Sequence, residues 1–155
     1  MTLLDAPIRA STRGLWLRAA GSSELQLVAS AGFDPTTAER FRVLPVDADL
    51  PGSIAYRERR TVVSGSRSKA EQDYEALRGA ARTAEGFVAV PLSLEDLCLG
   101  VLGLGYDTEL DQHDVAFLEA VGAQVAQTLM RVRLAERDRR RREELEFLAD
   151  TPTPR

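Results

Sequence analysis

"GFVAVPLSLEDLCLGVLGLGY", Gly86 to Tyr106, is the stretch on which the reading of this chain turns. An apolar run from Phe87 to Leu92 and a second from Leu97 to Tyr106 flank a polar turn at Glu95-Asp96, which predicts a β-hairpin. Both runs are apolar on both faces, so they belong in the middle of a sheet covered on both sides. Gly100, Gly103 and Gly105 interrupt the second run. A dinucleotide fingerprint needs G-x-G-x-x-G between a strand and a helix N-terminus. Here the order is G-x-x-G-x-G inside the strand, and the next helical pattern starts only after "YDTELD". The glycines therefore predict close packing of a helix, a bend or a ligand against the backbone rather than phosphate binding.

Beyond the hairpin the period becomes helical. Val115, Leu118, Gly122, Val125, Leu129 and Val132 form one stripe. Asp111 and Asp114 give a helix-entry signal like a capping box. The helix is expected from about residue 112 to about residue 149, a length of about 57 Å. Its far part, "AERDRRRREELEFLAD", offers i,i+4 pairs of Glu136 with Arg140 and Asp138 with Arg142, and in the weaker orientation Arg139 with Glu143 and Arg140 with Glu144. One reading is a solvated helix held by its own charges. The other is a parallel coiled coil in which Leu118, Val121, Val125, Thr128, Val132 and Ala135 follow a heptad before Arg139 and Arg142 take core positions.

Upstream, "GLWLRAAGSSELQLVASAGF" predicts two strands around a turn, and "RFRVLPV" a third with Phe41 and Val43 alternating. "DLPGSIAYRERR" predicts a short helix from Pro51 with Asp49 as its cap, and "TVVSG" a short strand. Residues 66–86 read as a helical, polar lid or crossover carrying Tyr74 and Leu77.

Composition narrows the function. The chain has 155 residues, 44% hydrophobic and 28% charged, with a net charge of -4, as expected of one globular domain with no general attraction to nucleic acid. One cysteine, Cys98, forbids an internal disulfide, and one histidine, His113, cannot build a His/Cys metal cluster. No apolar run approaches the roughly 20 residues that span a bilayer. "MTLLDAPIRA" has no basic stretch followed by an apolar core, so a cytoplasmic location is expected. Ser53 and Ser64 have no histidine in position to act as a base, and Glu95 and Asp96 are turn residues. No catalytic constellation emerges, and the chain is expected not to be an enzyme.

The order strand, strand, strand, short helix, strand, variable helical segment, hairpin, long helix resembles GAF domains. These are sensory modules of bacterial kinases, phosphatases, cyclases and transcription factors, and of phytochromes. The resemblance rests on "LWLRA", "ELQLVASAGF", "LPGSIAYRERRTVVSG", "FVAVPLSLEDLCLGVLGLGY" and "LDQHDVAFLEAVGAQVAQTL", and covers roughly Arg13 to Leu134. It implies an α+β sandwich of GAF/PAS type. Five to six mostly antiparallel strands would carry the terminal helix on one face, with a short helix and lid over a ligand pocket on the other. The expected organisation is a shortened N-terminal segment at 1–13, the domain at 14–134, a charged signalling helix at 135–150 and a tail at 151–155. By position the pocket would draw on Phe41, Val43, Ser53, Tyr56, Tyr74, Leu77, Phe87 and Ala89, with Arg67, Lys69, Arg78 and Arg82 near the lid.

The resemblance also implies what to exclude. Cyclic-nucleotide GAF domains share an Asn-Lys…Phe…Asp-Glu pattern, yet this sequence has no asparagine and its sole lysine, Lys69, lies elsewhere. Bilin attachment needs a pocket cysteine, whereas Cys98 starts a strand and reads as a small buried hydrophobe. Haem needs an axial ligand, whereas His113 reads as a surface residue of the last helix. The methionine sulfoxide reductases of this fold use several cysteines, one to attack and one to resolve. No cofactor is expected. The implied function is a sensory module that binds a small molecule or partner domain and relays to an output domain. The alternative is a ligand-free dimerisation module. A homodimer would form through Leu118, Val121, Val125, Leu129 and Val132, with no nucleic-acid or membrane partner. The short "MTLLDAPIRAS" start departs from the family, which normally begins with a helix beside the last one.

Overall fold

The computed structural model describes residues 10–64, 86–107 and 110–150. Strands β1 (Ala10–Arg18) and β2 (Glu24–Ala31) form the first hairpin, followed by helix α1 (Pro35–Arg40), strand β3 (Val43–Pro45), helix α2 (Pro51–Glu58) and strand β4 (Val62–Ser64). Strands β5 (Gly86–Leu94) and β6 (Leu97–Tyr106) form the second hairpin, and helix α3 runs from Gln112 to Asp150. The six strands make one antiparallel sheet in the order β3-β2-β1-β6-β5-β4. The apolar hairpin thus lies inside the sheet, where both of its faces find cover.

Each face has its own core. Val88, Val90, Leu92, Leu99, Leu102, Leu104 and Tyr106 meet Leu118, Val121 and Ala126 of α3. Trp16, Leu25, Leu44, Val62, Ala89 and Val101 meet Leu50, Ala55 and Tyr56 around α2 on the opposite face. Pro91 pairs with Val101 and Ser93 with Cys98, so Leu99 and Gly100 of β6 stand opposite Leu92 alone. This bulge rephases β6, which lets Leu99 serve the α3 face and Val101 the α2 face.

The glycines allow close approach. A Cβ on Gly100 would fall 2.0 Å from the Trp16 carbonyl oxygen, and one on Gly122 would fall 2.8 Å from Val90 Cγ1. Helix α3 therefore lies hard against β5. Its entry is a reciprocal cap: the Asp114 amide donates to Asp111 Oδ1 at 2.8 Å, and the Asp111 amide to Asp114 Oδ2 at 3.1 Å.

Several local expectations are corrected. Helix α1 replaces the start of the expected third strand. Asp34 caps it, with Oδ1 accepting from the Thr37 amide at 2.9 Å and Oδ2 from the Thr37 hydroxyl at 2.7 Å. Helix α2 takes Leu50, not Asp49, as its N-cap residue, with no side-chain cap and Pro51 in the first turn. Cys98 is half-buried rather than buried. In the charged segment the ion pair formed is Arg139 with Glu143 at 3.9 Å, between two exposed side chains. Residues 1–9 of the expected N-terminal segment at 1–13, the lid, and the tail at 151–155 lie outside the described residues, and residues 10–13 belong to β1.

Candidate functional site

The α2 face is built around one indole. Gly14 of β1 stands opposite Gly103 of β6, and a Cβ on either would collide with the Trp16 ring. The two glycines are thus a flat seat for that ring. Phe33 meets it edge-on at 6.3 Å, and Trp16 Nε1–H donates to the Phe41 carbonyl at 2.7 Å. The bond satisfies a buried donor and fixes the C-terminal end of α1 to the sheet.

Helix α2 closes over this floor. Gly52 lets it approach Leu44 and Val101, and Ser53 Oγ donates to the Pro45 carbonyl at 2.8 Å. Arg57 donates to the carbonyls of Val46 and Ala48. Tyr56 is buried in the cluster, and its hydroxyl accepts from Arg18 Nη1 at 3.0 Å. The Arg18 guanidinium also lies 5.9 Å from the Tyr56 ring centroid.

Of the residues expected to line a pocket, Tyr56 and Ala89 are buried in this cluster, and Phe41 and Phe87 pack against it. Ser53 is buried too, but its hydroxyl is committed to Pro45. Val43 points the other way: strand alternation sends Leu44 under α2 and leaves Val43 on the reverse side, outside the cluster. Tyr74, Leu77 and the basic residues Arg67, Lys69, Arg78 and Arg82 lie outside the described residues.

Trp16, Arg18 and Ser64 were missed as site residues. Strand periodicity carried a signal for Trp16 and Arg18, which alternate with Leu15 and Leu17. Ser64 had none beyond being the polar end of a short strand. It shares the α2 face with Val62 and stands opposite Phe87. Ser64 is 4% exposed, and its Oγ has no hydrogen-bond partner among the described residues. Among the described residues Ser93 Oγ also has no partner, but six residues along β5 from Phe87 place it about 20 Å away, beyond the reach of one small ligand.

The residues expected at a dimer contact are largely spent within the chain. Leu118 is 5% and Val121 7% exposed in the α3-face core, and Val125 and Leu129 pack against it. Val132 is exposed. His113 lies exposed in the first turn of α3. Among the described residues no three His, Cys, Asp or Glu side chains gather to hold a metal. Among the same residues, no helix is long and apolar enough to cross a membrane.

This architecture has known relatives. The family model of the GAF domain matches residues 7–130. The chain belongs to the GAF domain family. The GAF domain of an Acinetobacter phosphoenolpyruvate-protein phosphotransferase superposes with a TM-score of 0.65 at 18% identity, over 81% of this chain and 74% of that one. The second GAF domain of DevS from Mycobacterium smegmatis gives 0.62 at 19%, over 84% and 86%. A free methionine-R-sulfoxide reductase from Neisseria meningitidis, in complex with its substrate, gives 0.65 at 22%, over 81% and 71%. The fold thus occurs both in GAF domains of other proteins and in an enzyme. No curated protein matches the chain significantly.

Proposed function

We propose that this GAF domain is a non-catalytic sensory module. It binds a small molecule on the α2 face and passes the change to an output domain through α3. The observation that carries the ligand is Ser64. Its hydroxyl is buried beside Phe87 with no partner among the described residues, and a buried hydroxyl is stabilised when a bound group fills its hydrogen bond. The relay is supported by Arg18, whose side chain holds Tyr56 while its carbonyl accepts from Arg133 of α3 at 3.4 Å. A ligand biases that connection only through unequal affinity for two arrangements of the face.

A cyclic nucleotide, a bilin and haem are disfavoured, because the sequence has no asparagine-lysine pattern, Cys98 lies on strand β6 rather than on a pocket loop or helix, and His113 lies exposed in the first turn of α3. Sulfoxide reduction is disfavoured because a lone Cys98 supplies no resolving thiol. A metabolite-library thermal-shift screen with native mass spectrometry tests the reading. Binding is expected, and Ser64→Ala should weaken it about tenfold while leaving the free protein as stable or more so. A clean free mass with no thermal shift from any compound sinks the sensing role. Then the second reading stands: a ligand-free dimerisation domain, favoured by how fully Trp16, Tyr56, Phe41 and Phe87 already fill the α2 face.

A further inference from the structure

Every residue of α3 from Arg131 to Asp150 is exposed. None of these residues belongs to either core. Leu134, Asp138, Arg141, Leu145 and Leu148 follow one another at spacings of four, three, four and three, forming a single stripe. At about 100° per residue it lies on the side of α3 opposite Leu118, Gly122 and Val125, facing away from the sheet. Leu134, Leu145 and Leu148 are 52%, 58% and 67% exposed.

We propose that this stripe is an interface with the same stripe of a second copy, and that the two helices run antiparallel. The proposal rests on the reading of the protein as a dimer joined through its last helix, and adds the direction and register of the pairing.

Charge decides the direction. Residues 131–142 carry seven arginines and two acids, a net +5, whereas residues 143–150 carry four acids and no base, a net -4. A parallel pair sets each block against its twin. Its layers would oppose Asp138 to Asp138 and Arg141 to Arg141, and Arg137 would flank Arg142. An antiparallel pair sets the basic block against the acidic one. With Leu134 packed on the partner's Leu145, the next layer places Asp138 against the partner's Arg141, and the two-fold axis repeats both contacts. Arg137 then flanks the partner's Glu144. Leu148 falls level with the partner's Arg131, whose stem can cover it. The overlap of residues 131–148 is about 27 Å long, and it ends one residue short of Met130, which packs on the α3-face core.

Sedimentation across a concentration series, with the whole 155-residue chain, tests the charge layer. Asp138→Arg or Arg141→Asp alone should raise the dimer dissociation constant about tenfold or more, since each change breaks two pairs and creates two like-charge contacts. The double variant Asp138→Arg/Arg141→Asp restores opposite charges and should return the constant to near the starting value. In a Cys98→Ser background, a mixture of Leu134→Cys and Leu145→Cys chains should cross-link as the mixed pair under a short bifunctional maleimide, with neither forming a pair alone. A dimer that shows Leu145→Cys joined to itself and no rescue by the double variant overturns the antiparallel register and leaves the dimer reading standing. A chain that is monomeric at every concentration overturns both.

Discussion

Gly14 and Gly103 face each other across β1 and β6 so that the Trp16 indole can lie flat on the sheet. A methyl group on Gly103 would fall 2.8 Å from the ring and 3.3 Å from Phe87. The ring cannot swing clear, because its Nε1–H is bonded to Phe41. Gly103→Ala should therefore lower stability by about 1–3 kcal/mol in urea unfolding. Gly100→Ala should cost more, because its methyl group would meet backbone rather than side chain. Equal midpoints for both variants and the parent would refute this account of the strand. At Asp34, hydrogen bonds from the Thr37 hydroxyl and amide hold the carboxyl below the ordinary value of 3.8. A lowered folded value means the cap contributes fully above the unfolded pKa and is lost as pH falls through the folded one. An NMR titration of Asp34 should show that depression, and Thr37→Ala should relax it upward. A titration at the ordinary carboxylate value would contradict the capping geometry.

At the scale of elements, the last helix was the most legible. Its apolar stripe and the Asp111–Asp114 signal predicted the span, and both carboxylates make the expected bonds. Asp111→Ala should cost about 1 kcal/mol and fray the first turn, seen as faster amide exchange at Asp114. The two hairpins were equally legible, because alternation and turn residues agree there. Helix α1 was not: it is only six residues long, and its cap depends on a side-chain geometry that spacing alone does not reveal. The β3 phase failed for the same reason. Once α1 takes Phe41 as its end, Leu44 rather than Val43 enters the core. The α2 face was half legible. Tyr56, Phe87 and Ala89 follow from their elements, whereas the roles of Trp16 and Ser64 depend on Gly103 of β6 and Phe87 of β5, which lie far from them in sequence.

For the whole molecule, the α3-face core ends near Met130, and the remainder of α3 is solvent-exposed. Ending the chain after Leu134 should keep the Arg133–Arg18 bond and shift the thermal midpoint by no more than about 2 °C, while abolishing the association proposed for the projecting helix. A large fall in the midpoint would mean that the charged segment braces the domain instead.

Gly122 has a mechanical consequence. It clamps α3 to β5 near one end of a continuous 39-residue helix, leaving 28 residues beyond it. That is a lever arm of about 42 Å, so each degree of tilt at the pivot sweeps the tip by about 0.7 Å. A side chain's worth of repacking at the clamp becomes several ångströms at the far end, and a residue larger than glycine would change both the angle and the throw.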